Sequence, residues 1–247
     1  MNDRLKVQQV SHDEAMETAQ NQARSTFRYF WKEVATDFNR IVPALSVAIV
    51  KCGFPVDDPD APVGTEQMWV DNIFFDGASV SGELINDPQF VPTLSVGDAV
   101  QVPKPGISDW LCQIDEKLYG GYTVQVLRAG MSESERAEHD DAWGLPFPEP
   151  STVNIPNPPS TFDENLAEEM LTYLKENPDA LQTVDEDGRT LLHLEVLFGR
   201  MPGAKALLDL GLNVNARCHR HWTPLRYSDE IGWEELSLFL RGAGGER

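Results

Sequence analysis

Few residue groupings in this chain have the types and spacing to do chemistry. The run Cys218-His219-Arg220-His221 offers three side chains of metal-ligating type within four positions. A mononuclear zinc site draws its ligands from two separated pairs, and no second pair accompanies this one, so no metal site is expected there. Asp109-Trp110, inside "ISDW", sets an acid beside an aromatic wall. That pairing could tune a carboxyl for proton transfer, but it is more often an aspartate capping a turn over a core tryptophan, and a structural role is expected. Cys52, Cys112 and Cys218 fall in no nucleophile motif, and the chain has neither a G-x-S-x-G elbow nor a glycine-rich phosphate loop. The expectation is a protein without catalytic residues or cofactor.

The carboxylates are a better lead. Asp57, Asp58 and Asp60 share a proline-bounded loop; Asp185, Glu186 and Asp187 form a second cluster; Asp229, Glu230 and Glu234 form a third. His219, His221, Trp222 and Trp233 lie in the same C-terminal segment and add aromatic anchors. Together these thirteen are the expected partner-binding residues. The formal net charge is −20, with −13 before Ser160 and −7 from there on. Phosphates would be repelled over a Debye length of about 8–10 Å, so nucleic acid and anionic membrane are excluded as direct partners and a basic protein is favoured.

The elements that must position these residues can be read from periodicity. Ser11 and Glu14 make a capping-box pattern, and Met16, Ala19, Ala23, Phe27, Phe30, Val34 and Phe38 recur every three or four residues, predicting a long N-terminal helix with that face buried. "LSVAIVK" reads as a strand, and "EQMWVDNIFF" and "ASVSGELIN" as a hairpin about Asp76-Gly77. Short runs in "DAVQVP", "ISDWLCQI" and "YTVQVLR" are expected to complete a small, mostly antiparallel sheet packed on that helix, followed by a helix in "SESERAEHDDAW". Prolines at 146, 148, 150, 156, 158 and 159 make a stiff connector. The expected domains are therefore 1–143, a linker at 144–160, and 161–247.

Within the last of these, Thr190, Leu192, Gly199, Leu207 and Gly211 return thirty-three residues later as Thr223, Leu225, Gly232, Leu240 and Gly244. The segment resembles the ankyrin-repeat family, which implies an all-α domain of a cap and about two repeats, with His193 a structural residue and the 185–187 cluster at a fingertip. The first domain, through "MWV" at 68–70, Gly82, Leu84, Asn86, Pro88, Gly97-Asp98, "ISDW", "GGYT" at 120–123 and Arg128, resembles the YegJ-like bacterial domain of unknown function. The fold class expected overall is thus α+β with a helical ankyrin domain after it.

The combination resembles immunity proteins of type VI secretion toxins. That likeness implies a protein that occludes a cognate toxin, a DNase effector above all. The alternative is a small-ligand or enzymatic N-terminal domain recruited by an ankyrin adaptor. Three scattered cysteines, no run of roughly 20 apolar residues and no signal-peptide layout lead to a cytoplasmic expectation.

Overall fold

The computed structural model describes residues 2–157 and 160–247, with side chains from 14–157 and 161–247. The chain divides into two compact units, one holding Met1–Phe75 and Ser79–Pro156, the other Asp76–Ala78 and Asn157–Arg247.

In the first unit a helix, α1 (Asn2–Asp37), precedes six strands: β1 (Leu45–Pro55), β2 (Thr65–Phe75), β3 (Ser79–Leu84), β4 (Ala99–Pro103), β5 (Ile107–Ile114) and β6 (Lys117–Gly120). They lie in the order β4-β3-β2-β1-β5-β6, and every pairing is antiparallel. Two helices follow, α2 (Tyr122–Ala129) and α3 (Glu133–Trp143), the latter opened by a Ser132–Glu135 capping box. Alternation along the strands gives the sheet two buried faces. On one, Val50, Cys52, Met68, Val70, Trp110 and Cys112 meet Phe27, Phe30 and Trp31 of α1, and Trp110 Nε1 donates to the Ala23 carbonyl at 3.0 Å. Phe27 meets Phe75 edge-on at 5.2 Å. Burial of each such side chain contributes about 2 kcal/mol. On the other face Ile49, Trp69, Leu111, Leu118 and Val124 cluster, with Trp143, Leu145 and Phe147 packed over them.

Three local expectations are corrected. α1 begins nine residues before Ser11, so Ser11 lies inside the helix and not at its start. Phe38 falls just beyond the end of α1 and is 64% exposed rather than on the buried stripe. "YTVQVLR" is α2, not a strand, and the sixth strand is the short "KLYG". The β-branched Thr123, Val124 and Val126 of "YTVQVLR" favour a strand locally, but the buried apolar cluster and a cap supplied by β5 override that preference.

The second unit holds α4 (Ser160–Glu176), a 3-10 turn at Pro178–Gln182, α5 (Leu191–Leu197), α6 (Met201–Asp209), α7 (Pro224–Ile231) and α8 (Glu234–Gly242). Leu192, Val196, Leu207, Leu225, Tyr227, Ile231, Leu236 and Leu240 fill its core. Thr223 caps α7 by accepting from Arg226 N, and Gly232 ends it at φ 98°. The expectation of a separate all-α ankyrin domain after the sheet is overturned. The unit includes the turn residues Asp76–Ala78 and an antiparallel bridge between Val184 and Thr190, closed by the Asp185 side chain on the backbone of Asp187 and Arg189. The chain is a mixed α+β protein in which several helices follow the sheet.

Candidate functional site

The polar centre of the first unit is built by strand register. Lys51 of β1 lies opposite Trp69 of β2 and Asp109 of β5, so the three form a row across the sheet on the face that carries α2. Asp109 is wholly buried. Its carboxylate accepts from the backbone N–H groups of Trp110 (2.8 Å), Tyr122 (3.0 Å) and Thr123 (2.7 Å) and from the Thr123 hydroxyl (2.6 Å). It thus satisfies the first free amides of α2 and sits at the positive end of that helix, whose own N-cap, Gly121, has no side chain to do so. Lys51 Nζ donates to Thr123 Oγ1 at 3.3 Å and lies 5.7 Å from the centre of the Trp69 ring. Burial pushes the Asp109 carboxyl up and the Lys51 ammonium down, and each partner opposes the other's shift. Three of the four bonds on the Asp109 carboxylate, and the Lys51 bond to Thr123, hold α2 on the sheet. Gly120 and Gly121, both left-handed, bring the chain round to that helix, and a side chain at 120 would run into the Trp110 carbonyl.

A second polar knot holds the proline-rich segment. Arg128, 4% exposed, forks onto Asp140 of α3 through Nε (2.9 Å) and Nη2 (2.6 Å), while Nη1 donates to Gln125 Oε1 and to the Pro148 carbonyl, both at 2.6 Å. Its guanidinium lies 4.9 Å from the centre of the Phe147 ring. Asn154 donates to the Leu118 carbonyl and accepts from Gly120 N, covering the outer edge of β6. Residues 145–156 are therefore laid along the sheet unit. Between this segment, α1 and α2 runs a groove of about 500 Å³ lined by Glu14, Thr18, Gln22, Tyr122, Gln125 and Ser151. Tyr122 is the member of the "MWV", "ISDW" and "GGYT" motifs that faces it.

Burial also decides what the thiols can do. It pushes Cys52 up to about 12 and Cys112 higher still, and both are buried. Iodoacetamide at pH 8 is accordingly expected to leave both unmodified in the native chain and to label both in urea. Rapid labelling of either in the native chain would contradict this packing.

The expected partner residues separate into free and engaged groups. Asp57, Asp58 and Asp60 are exposed in the β1–β2 loop and have no ion pair among the described residues. Glu186, Glu234, His219 and His221 are also exposed. Asp185 is not free: its oxygens accept from Asp187 N, Arg189 N and Arg189 Nε. Partial burial pushes its carboxyl up, but the Arg189 hydrogen bonds outweigh this and hold it below the usual carboxylate range. Asp187 pairs with Arg189 at 3.0 Å, Asp229 with Arg241 and Arg247, and Glu230 with Arg247. Trp222 is half-buried, edge-on to Tyr227 at 5.1 Å with Arg226 stacked on it, and Trp233 packs over Gly199. Neither tryptophan stands free as an anchor. His193 is buried, bonded to Thr190 and to the Trp222 carbonyl.

Among the described residues no group of three or more His, Cys, Asp or Glu side chains is placed to hold a metal ion, and no helix is long and apolar enough to cross a membrane.

A long helix over a six-stranded antiparallel sheet, with its polar centre closed on its own second helix, defines an α+β domain with a shared pattern. Residues 13–147 match the family described as an uncharacterized protein conserved in bacteria (DUF2314), and the chain belongs to that family. A Neisseria meningitidis serogroup B protein named for ankyrin repeats is 36% identical over 237 residues, spanning 92% of this chain and 93% of its own length. The uncharacterized protein YegJ of Escherichia coli K12 is 31% identical over 74 residues, 30% of this chain and 48% of that protein. Mouse protein phosphatase 1 regulatory subunit 27 is 26% identical over 99 residues, 39% of this chain and 64% of that protein.

Proposed function

We propose that this chain is an inhibitor acting by occlusion, an immunity protein that binds a basic secreted bacterial toxin, a DNase effector in the first instance, without chemistry of its own. The observation that carries this reading is the uncompensated exposed charge. The chain is −20 overall, and Asp57, Asp58, Asp60, Glu186 and Glu234 stand in solvent without an ion-pair partner among the described residues. A nuclease needs a cationic surface to hold phosphate, and an acidic protein competes for that surface. The partial likeness to a protein named as a regulatory subunit supports action on another protein.

The test is affinity recovery of the tagged chain from a bacterium carrying its gene, eluted with rising salt. One stoichiometric basic partner with nuclease activity is expected. Many weak partners, all lost at modest salt, would reduce the charge to a solubility device. With that partner purified, changing Asp57, Asp58 and Asp60 together to asparagine is expected to slow association about 10-fold at low salt and to leave dissociation nearly unchanged. An unaltered association rate would remove this loop from the encounter.

The groove beside Tyr122 favours a second reading, a small-ligand site in the sheet unit. Gln22→Ala would then weaken ligand binding without lowering stability.

A further inference from the structure

Among the described residues, a marked departure from ordinary surface chemistry lies between α1 and β1. Phe38, Ile41 and Val42 are 64%, 101% and 76% exposed, three large apolar side chains within five residues. Single exposed apolar residues are commonplace, but a contiguous group of this kind marks a contact surface. Nor is the segment loosely held. Phe38 N donates to the Val34 carbonyl, Asn39 Nδ2 to the Ala35 carbonyl at 2.9 Å, and Ala44 N to Asp37 Oδ1 at 2.7 Å. Arg40 clamps the turn from inside, reaching Asp37 at 3.0 Å and Glu33 at 3.2 Å. The apolar side chains are thus presented on a braced turn, which lowers the ordering cost of any contact they make.

The charges around the turn say what could cover it. Leu45 pairs with Ile114, which sets the turn beside the β5–β6 connection, where Asp115 and Glu116 are exposed. Lys117, next along, lies 5.1 Å from the centre of the Tyr119 ring. Asp115 and Glu116 stand exposed, Asp37 and the buried Glu33 are paired with Arg40, and Lys32 and Lys117 are the other cations, so the surroundings carry one net negative charge, on a chain of −20. A second copy would bring another −20 to the same place, and an anionic bilayer is opposed for the same reason. We infer that the Phe38–Ile41–Val42 turn is a docking knob for the basic partner, seated in an apolar socket that lysine or arginine side chains border. This rests on the inhibitor reading and assigns it a site: the acidic surface steers the encounter, and the knob holds the complex once formed.

The experiment uses the full chain and, as probe, the basic partner recovered and purified as described above. An Ile41→Asp/Val42→Asp variant should unfold at the same temperature as the parent chain, because both positions are in solvent. It is expected to bind about 100-fold more weakly, mainly through faster dissociation and at every salt concentration. If the parent binds and the variant binds equally well, the knob is overturned while the inhibitor reading stands. If the parent yields no stoichiometric basic partner, the inhibitor reading falls and the knob with it. Sedimentation of the parent alone as a dimer that Ile41→Asp/Val42→Asp dissociates, or its flotation with phosphatidylcholine vesicles, would assign the turn another occupant and overturn the proposal.

Discussion

Changing Asp109 to alanine is expected to destabilise the sheet unit by roughly 4 kcal/mol, the loss produced when a buried, fully hydrogen-bonded charge is removed from its partners. Three backbone N–H groups and the Thr123 hydroxyl would lose their acceptor, and Lys51 would lose its counter-charge in a half-buried position. Asp109→Asn should recover little, because its amide would turn one N–H group toward donors, leaving a cost of about 3 kcal/mol. Urea unfolding of a chain in which Trp222 and Trp233 are replaced by phenylalanine would report the sheet unit through Trp31, Trp69, Trp110 and Trp143. An unchanged midpoint would show that the carboxylate is not what holds α2. A catalytic aspartate would give the opposite pattern, with stability kept and activity lost.

The second large effect is expected at Arg128. Alanine there removes the fork to Asp140, the bond to the Pro148 carbonyl and the contact over Phe147 at once, at a cost of about 3 kcal/mol. Lysine should restore only part of this, because a point charge cannot fork across both carboxylate oxygens while also reaching a carbonyl. Partial burial pushes the Asp140 carboxyl up, but hydrogen bonds from Arg128 and His139 hold it below its usual value. Its contribution is therefore complete above about pH 4 and fades as pH falls through the lowered pKa. Limited proteolysis provides the readout: Arg128→Ala should open cleavage within 145–156, which the parent is expected to resist. Equal resistance in both would show that Leu145, Phe147 and Asn154 suffice to hold the segment.

Both predictions concern features that the sequence exposes unevenly. The hairpin about Asp76-Gly77, the β5 run and the Ser132 cap are written locally, in alternation, turn residues and a capping box. α2 is not. "YTVQVLR" has the composition of a strand, and the group that makes it a helix, Asp109, lies thirteen residues earlier on a different element. The end of α1 is equally hidden, since Phe38 continues the apolar interval by type and yet falls one residue past the last helical position. For the candidate site, the acidic clusters are visible as runs, but their engagement is not. Asp229 meets Arg241 and Arg247 only because α7 and α8 pack together, and twelve or more residues of sequence give no hint of it. Two of the three carboxylates in the 185–187 cluster are engaged for a shorter-range reason, the nearby Arg189. The loop at 57–60 is the cluster whose exposure proline and aspartate alone foretell.

The cap that β5 lends to α2 also bears on the order in which the chain folds. A helix of eight residues is too short to persist in water by itself, and this one begins at a glycine. Its acceptor comes into place only when β5 has found β1 and β6. The helix should therefore be a late event on the pathway, an annealing of "YTVQVLR" onto a sheet already zipped. Until then that segment remains an unpaired, strand-prone stretch of nascent chain, and the interval before the Asp109 carboxylate claims it is the one in which mispairing with a neighbouring chain competes with folding.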